Sequence, residues 1–199
     1  MSQADTQQIA ITGHPISNAA CKFAVEQPVY ENASYYFGNA QVAKGSPLAE
    51  RLFAIDGVVN LLISHNEITV TKSSAVEWPV IGKQIGTAIR EHIASGDVAV
   101  SSDLEGSLPP VDDLRERVEA VLKTEINPAV ASHGGVVDLI NVEGNRVFLR
   151  MGGGCQGCGQ AAATLKFGVE QAIRAAVPEV GDIIDATDHA AGANPYYAN

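Results

Sequence analysis

The residues of this chain best suited to chemistry are two thiols, Cys155 and Cys158, which stand three positions apart. They lie in a stretch of eight residues, 152–159, that contains five glycines. Because glycine has no Cβ atom, the backbone there can adopt positive φ and approach a bulky ligand closely. Two thiols at this spacing can bind a soft metal centre, or they can form a disulfide with each other. We take them as the candidate cofactor and metal ligands, and we predict no catalytic residue.

The elements that must position these thiols are predicted on both sides of them. A predicted strand, residues 146–151, precedes the stretch, and a predicted helix, residues 160–177, follows it. The helix therefore begins just after Cys158. The first N–H groups of a helix have no partner within the helix, and the local potential there is positive. Both effects stabilise the thiolate, which is the form of cysteine that binds metal or attacks a disulfide.

Three kinds of site fit two thiols at this spacing. The first is a thiol–disulfide exchange site, which a helix start favours, although no strand–helix–strand unit precedes the motif. The second is a structural zinc site, which needs four ligands and would require help from His133 and His189, or from Cys21. The third is an iron–sulfur cluster, either 2Fe–2S or 4Fe–4S, which normally takes four thiolates.

The number of thiols favours the cluster and, with it, a homodimer. One chain offers two thiolates at the right spacing and two chains offer four, so a cluster on a two-fold axis satisfies the ligand count. A glycine-lined cluster that bridges two subunits should be easy to release. That is a property of a carrier, and not of an enzyme or a buried electron-transfer centre. The spacing alone leaves the redox and zinc alternatives open.

The composition is that of an ordinary globular protein, with 46% hydrophobic and 18% charged residues. The net charge of −10 argues against binding nucleic acid through phosphate neutralisation. No apolar run approaches the ~20 residues that a membrane span needs, and no targeting segment is visible at the start. We therefore expect a cytoplasmic protein without a nucleic-acid or membrane partner. In that reducing compartment a C-x-x-C motif is more often metal-binding or redox-active than structural.

Residues 1–95 predict a small α+β domain. Two segments rich in aromatic and β-branched residues indicate strands, and a β-hairpin is predicted around His65 and Asn66. Ser46 is a good helix cap and Pro47 a good first helical residue. A second helix begins at Trp78, with an apolar face formed by Val80, Ile81, Ile85, Ala88, Ile89 and Ile93.

Three side chains of this domain could be mistaken for site residues. Cys21 stands alone in a strand-like segment, and we expect it to be a small, half-buried apolar residue without a ligand role. His65 in the hairpin turn and His92 near the helix end are expected to be solvated.

Residues 96–111 predict an acidic, flexible linker. Five acidic residues and no basic residue occur between Gly96 and Asp113. Two prolines, Pro109 and Pro110, stiffen the end of this segment. The linker divides the chain into an N-terminal domain, residues 1–95, and a C-terminal domain, residues 112–199.

The C-terminal domain is predicted to contain a three-stranded mixed sheet and two main helices. The first helix begins near Asp112, is kinked or restarted at Pro128 and ends at the glycines after His133. The strands are predicted at residues 136–142, 146–151 and 180–184. The fold class is therefore α+β, with two small α/β-sandwich-type domains.

The segment from Asp113 to the C-terminus resembles the NifU C-terminal-type (Nfu) domain of iron–sulfur cluster biogenesis. That resemblance implies a scaffold or carrier that binds a 4Fe–4S cluster across a homodimer through Cys155 and Cys158. It implies that the cluster comes from an upstream scaffold and passes to apo iron–sulfur client proteins. The motifs that carry it are Ile126-Asn127-Pro128, His133-Gly134-Gly135, Gly152-Gly153-Gly154-Cys155-Gln156-Gly157-Cys158, Thr164-Leu165-Lys166-Phe167-Gly168-Val169-Glu170, Asp188-His189 and Pro195-Tyr196-Tyr197.

The first half is similar to the separate Nfu N-terminal domain. In place of the Pro-Asn-Pro-like approach usual in that family, residues 14–18 read His-Pro-Ile-Ser-Asn. We expect this domain to recognise client proteins or to modulate delivery without ligating iron. The matching residues are Lys22-Phe23, Ser46-Pro47-Leu48-Ala49, Leu52-Phe53-Ala54-Ile55-Asp56-Gly57-Val58, Ile68-Thr69-Val70-Thr71-Lys72 and Trp78.

Overall fold

The computed structural model describes residues 9–132, 134–153 and 159–186. The chain divides into two compact units between Leu108 and Pro109. Unit 1 contains a five-stranded sheet, and unit 2 contains a three-stranded mixed sheet with helices. The predicted α+β fold class is therefore confirmed.

The sheet of unit 1 is antiparallel throughout, in the order β1-β2-β5-β4-β3. Its central hairpin turns at His65, whose φ of 51° is in the left-handed region. The predicted hairpin and the predicted strand segments are confirmed. The first strand was not predicted, because its short sequence has only one apolar residue that packs inward. The strands are β1 Ile11–Pro15, β2 Ala20–Val25, β3 Tyr30–Phe37, β4 Val58–His65 and β5 Glu67–Lys72.

Two helices, α1 Pro47–Phe53 and α2 Trp78–Ser95, begin where their prolines predict. The predicted cap at Ser46 is wrong in its detail, because its hydroxyl accepts a hydrogen bond from the N–H of Ser101 (3.1 Å) and none from α1. The core lies between these helices and the sheet. Its largest fully buried side chains are Phe37, Leu48, Leu52, Leu61, Ile63, Ile68, Ile81, Ile85 and Ile89.

The inward stripe of α2 differs from the predicted one at two positions. Val80 was predicted on the apolar face, but it is 62% exposed. His92 was predicted to be solvated, but only 3% of it is exposed. The stripe that packs inward runs at helical spacing from Ile81 through Ile85 and Ile89, and His92 continues it. Val80 lies a quarter-turn away from that stripe.

Much of the segment predicted as a flexible linker belongs to unit 1. Ala99 and Val100 are buried in the core of unit 1. A short helix, α3 Ser102–Gly106, follows them and is capped by the side chain of Ser101. The apolar residues inside this acidic segment explain the difference, because they gain more by burial than by remaining in a solvated tether.

Unit 2 begins with a long helical segment that changes its geometry along its length. Helix α4 Val111–Val121 runs into a π-helical turn, Leu122–Ile126, and then into a short helix, α5 Asn127–Ala131. The predicted disturbance at Pro128 therefore takes the form of a π-helical turn just before it. The second main helix is α6 Gly159–Ala176.

The sheet of unit 2 has the order β6-β7-β8. Strands β6 Gly135–Glu143 and β7 Arg146–Gly153 form an antiparallel hairpin. Strand β8 Ile183–Asp185 pairs with β7 in parallel, and α6 makes the crossover between them. The mixed sheet is therefore confirmed. Leu114 and Val118 from α4 and Val169, Ile173 and Val177 from the α6 region pack on Val137, Val147 and Leu149 of this sheet.

Candidate functional site

The two predicted ligands, Cys155 and Cys158, lie outside the described residues, as do the alternative zinc ligands His133 and His189. The structure does describe the elements that lead into and out of the cysteine segment. Strand β7 ends at Gly153 and α6 begins at Gly159. The segment between them is therefore five residues long, and it connects a strand to a helix as the sequence predicts.

The strand side of the site is a glycine-rich end of the hairpin. The last two pairs of the ladder are Val136 with Gly152 and Gly135 with Gly153. A Cβ atom built on Gly152 would lie 3.0 Å from Cγ1 of Val136, which is closer than ordinary van der Waals contact. The side chain of Val136 therefore occupies the space beside Gly152, and a residue larger than glycine there would displace it.

The helix side of the site is held by the core. Val169 and Ile173 of α6 are buried, and Val177 just beyond the helix is buried as well. These residues anchor the second half of α6 to the sheet, and the helix begins at Gly159, directly after the cysteine segment. Its unpaired N–H groups make that end favourable for negative charge.

An ion pair lies on the sheet near the strand end of the site, and a partly buried carboxyl group lies farther along the helix. Asp138 and Arg150 are partners across the hairpin and form an ion pair of 3.0 Å. On α6, burial raises the pKa of Glu170 above its ordinary value, while Lys166 and Arg174 act in the opposite direction. The half-exposed ion pair contributes little to stability.

One residue that sequence reasoning did not single out for a role holds the strand end. The side-chain amide of Asn127 donates a hydrogen bond to the carbonyl oxygen of Val137 (3.0 Å) and accepts one from its N–H (2.8 Å). Val137 is two residues from the last pair of the hairpin. The only sequence signal for this contact is an asparagine directly before Pro128. That signal indicates a break in the helix, but it does not indicate which residue the asparagine side chain contacts.

The third thiol is described, and it lies in unit 1. Cys21 is 6% exposed and sits on β2 in the core. Burial raises the pKa of its thiol, so Cys21 has little thiolate character. Among residues 9–132, 134–153 and 159–186, no group of three or more His, Cys, Asp or Glu side chains could hold a metal ion. Cys155 and Cys158 remain the candidate ligands of unit 2, where they are the only cysteines of the sequence.

Two family models match the chain. Residues 11–96 match the model described as "Scaffold protein Nfu/NifU N terminal". Residues 118–184 match the "NifU-like domain". The second range contains both Cys155 and Cys158, and together the two ranges include more than half of the chain.

Proteins similar to this chain are found in plants and bacteria. The chain is 34% identical over 169 residues to "NifU-like protein 4, mitochondrial" from Arabidopsis thaliana. The matched region covers 77% of this chain and 57% of that protein. It is also 52% identical over 85 residues to "Fe/S biogenesis protein NfuA" from Stutzerimonas stutzeri. This second matched region covers 42% of this chain and 44% of that protein. The chain thus spans about half the length of these relatives.

Among solved structures, a NifU-like protein from Saccharomyces cerevisiae is similar to part of this chain, with 24% sequence identity and a TM-score of 0.44. The similar region covers 47% of this chain and 86% of the yeast protein.

The fold and the two matches define a protein with an Nfu N-terminal domain followed by a NifU-like domain. The chain belongs to the Nfu-type proteins, which combine these two domains, and the resemblance predicted from its motifs is confirmed.

Proposed function

We propose that this protein carries an iron–sulfur cluster, and in particular a 4Fe–4S cluster, for delivery to apo-proteins. The observation that carries the proposal is the NifU-like match over residues 118–184, because that range contains Cys155 and Cys158. A relative that is 52% identical over 85 residues bears the name of an Fe/S biogenesis protein. The cluster is cargo in this proposal, and a 2Fe–2S cluster is the alternative cargo.

The ligand count supports a homodimer around the cluster. Each chain supplies two thiolates, and a 4Fe–4S cluster normally takes four. Cys21 does not make up the difference, because it is buried in the core of unit 1. Two copies of the cysteine segment related by a two-fold axis supply all four ligands.

Delivery of the cluster is a ligand exchange. Each iron–sulfur bond to Cys155 or Cys158 that breaks is replaced by a bond to a thiolate of the client protein. The proton of the client thiol passes to the released cysteine, and no electron moves between the proteins. The chain is therefore a carrier and not an enzyme. An upstream scaffold that holds the same cluster would load it by the reverse exchange.

Anaerobic reconstitution with ferrous iron and sulfide tests the proposal. The wild-type protein should turn brown and hold about four iron and four sulfide per two chains. Cys155→Ala and Cys158→Ala should abolish this loading. The matched control, Cys21→Ala, removes a thiol from unit 1 and should load like the wild type. Colourless protein that binds zinc, or a reversible Cys155–Cys158 disulfide without iron uptake, would overturn the carrier proposal in favour of a zinc or redox module.

Unit 1 is proposed to recognise client proteins without binding iron. Its described residues offer no metal-binding cluster of three or more candidate side chains, and its one thiol is buried. Chemical cross-linking of the loaded protein to an apo iron–sulfur enzyme should give cross-links to residues 9–108. Cross-links confined to residues 109–199 would contradict a recognition role for unit 1.

A cytoplasmic location remains a prediction. Within the part of the chain that the structure describes, no helix is long and apolar enough to cross a membrane.

A further inference from the structure

We infer that Asn127 is a positioning residue for the cysteine segment, because its side chain clamps the strand end from which that segment is built. This inference rests on the proposed function and concerns how firmly the chain holds its cluster. The clamp consists of two hydrogen bonds to one residue. Asn127 Nδ2 donates to the carbonyl oxygen of Val137 at 3.0 Å, and the N–H of Val137 donates to Asn127 Oδ1 at 2.8 Å.

The helix geometry directs Asn127 toward the sheet. The N–H of Asn127 donates to the carbonyl of Leu122, five residues earlier, so the helix is widened to a π-helical turn at this point. Pro128 follows and has no N–H to continue the ordinary helical pattern. Such π-helical turns are rare and are often found at functional sites. The turn and the proline together explain why the Asn127 side chain faces β6.

The main chain of Val137 needs a partner because β6 lies at the edge of its sheet. In an antiparallel pair, residues alternate between those whose N–H and C=O face the neighbouring strand and those whose groups point away. Both groups of Val137 bond to Asn127, so they point away from β7. An amide side chain presents an N–H donor and a carbonyl acceptor side by side, and it takes the place of a neighbouring strand at this position.

The clamp lies next to the start of the cysteine segment. By the same alternation, Val136 and Gly152 form the neighbouring hydrogen-bonded pair, and only the Gly135–Gly153 pair lies beyond it. Val137 is two residues from Gly135, a distance of about 6.6 Å along a strand. Glycines form three of the four residues in these last two pairs, so few side chains are available to keep the end of the ladder closed.

Loss of the clamp should therefore let this end of the hairpin open more often. Opening of a strand end is a local process that does not require unfolding of the whole unit. Residues 154–158 follow Gly153 directly, so movement of Gly153 changes where the segment that carries Cys155 begins. A cluster bound by those thiols should then be released faster and should sit in an altered environment.

The test compares Asn127→Ala and Asn127→Asp with Asn141→Ala in the full-length chain. Asn141 is a matched control because it is also an asparagine of unit 2, and it lies on β6 itself, near the end of the strand opposite to Val137. Its amide accepts a hydrogen bond from Arg115 (3.2 Å) and donates one to Glu143 (3.1 Å), and both partners are side chains. The Asn127→Asp variant keeps the shape and the acceptor for the Val137 N–H, but it loses the donor.

Three measurements are made on each variant. Hydrogen exchange of residues 134–137 in the apo-protein reports on the strand end. The visible circular dichroism of anaerobically loaded protein reports on the surroundings of the cluster. The rate of iron release to a ferrous chelator reports on how firmly the cluster is held. Urea unfolding is recorded alongside, so that a general loss of stability can be recognised.

Asn127→Ala should exchange faster at residues 134–137, show a changed visible spectrum and release iron roughly tenfold faster, which corresponds to the loss of about 1.4 kcal/mol of hydrogen bonding. Asn127→Asp should change in the same direction by a smaller factor, and Asn141→Ala should match the wild type.

If the wild-type protein loads with iron and the Asn127 variants match Asn141→Ala in all three measurements, this inference alone is overturned. Iron release that rises only in proportion to a general loss of stability would overturn it as well. Wild-type protein that takes up no iron would overturn the proposed function and this inference with it.

Discussion

Arg117 on α4 and Glu179 after α6 are joined by two parallel hydrogen bonds, of 3.0 Å between Nη1 and Oε1 and 2.9 Å between Nη2 and Oε2. The main-chain carbonyl of Glu179 also accepts a hydrogen bond from the side chain of Asn145 (3.1 Å). Glu179 therefore connects the first helix of unit 2, the turn of its hairpin and the segment that leads into β8.

Glu179→Gln should destabilise unit 2 at neutral pH by about 0.5–1 kcal/mol, a modest value because the pair is partly exposed to solvent and screened. The hydrogen bonds from Arg117 lower the pKa of Glu179 below its ordinary value of 4.5. The folded state therefore binds this proton less readily than the unfolded state does. The stabilisation is complete above about pH 4.5 and is lost as the pH falls through the lowered pKa.

Hydrogen exchange of β7 and α6 measures this effect separately from unit 1. The wild type should be more protected than Glu179→Gln at pH 7. The difference in protection between the two proteins should be smaller at pH 3. A difference that is independent of pH would show that the carboxylate charge is not its source.

His92 should make the stability of unit 1 fall on mild acidification. Burial lowers the pKa of this side chain, and Arg51 lowers it further while Asp97 opposes the change. Its buried Nδ1 atom has no hydrogen-bond partner. The folded state therefore favours the neutral imidazole. The stabilisation is present above the ordinary pKa of about 6.5 and is lost as the pH falls from there toward the lowered pKa.

Urea unfolding between pH 7.5 and 5 tests this prediction, with the fluorescence of Trp78 as the signal. Trp78 is the only tryptophan of the sequence and lies in unit 1. The wild type should lose stability over this range, and His92→Gln, which cannot titrate, should lose less. Equal pH dependence in the two proteins would assign the effect to other groups.

Gly57 should tolerate substitution much less well than Gly96, although both have positive φ, of 93° and 70°. A Cβ atom on Gly57 would lie 2.6 Å from Cγ2 of Val76, whereas a Cβ atom on Gly96 would meet nothing within 4 Å. Gly96→Ala carries only the cost of the left-handed backbone, about 1 kcal/mol. Gly57→Ala adds an overpacking cost, for a total of about 3 kcal/mol.

Urea unfolding followed by Trp78 fluorescence measures the loss in unfolding free energy for Gly57→Ala and for Gly96→Ala. Equal losses in the two alanine variants would mean that Val76 moves aside without cost, and that backbone strain alone sets the requirement for glycine at both positions.

Tyr30 should hold the short helix α3 against unit 1. Its hydroxyl donates a hydrogen bond of 2.7 Å to Oε1 of Glu105, which lies in α3. Tyr30→Phe removes this bond and should raise hydrogen exchange in residues 102–106 roughly fivefold, as expected for one hydrogen bond of about 1 kcal/mol. An unchanged rate in Tyr30→Phe would indicate that the buried Ala99 and Val100 are sufficient to hold the segment.

The sequence predicts most elements of this fold where local signals are strong. Proline marks the start of α1 and α2, and β-branched residues on both sides of His65 mark a hairpin. The errors have tertiary causes. Strand β1 exists because it pairs with β2. The Ala99–Val100 segment packs on unit 1 despite its acidic surroundings, and His92 is buried because the core covers its side of α2.

The features of the candidate site also fall into those that the sequence predicts and those that it does not. Two thiols at a fixed spacing among glycines are visible in the sequence, and their number indicates that two chains are needed. The clamp between Asn127 and Val137 is not visible, because it depends on a π-helical turn and on which strand lies at the sheet edge. Local patterns identify the ligands, whereas only the packed structure identifies the residue that positions their segment.

The mass of the cluster-loaded species tests the shared cluster most directly. Protein reconstituted under anaerobic conditions is measured by native mass spectrometry, with Cys155→Ala as the control. We predict one species that contains two chains and a single 4Fe–4S cluster, and no such species in the control. A loaded species that contains one chain, or iron that remains bound in Cys155→Ala, would contradict a cluster shared between the cysteine pairs of two chains.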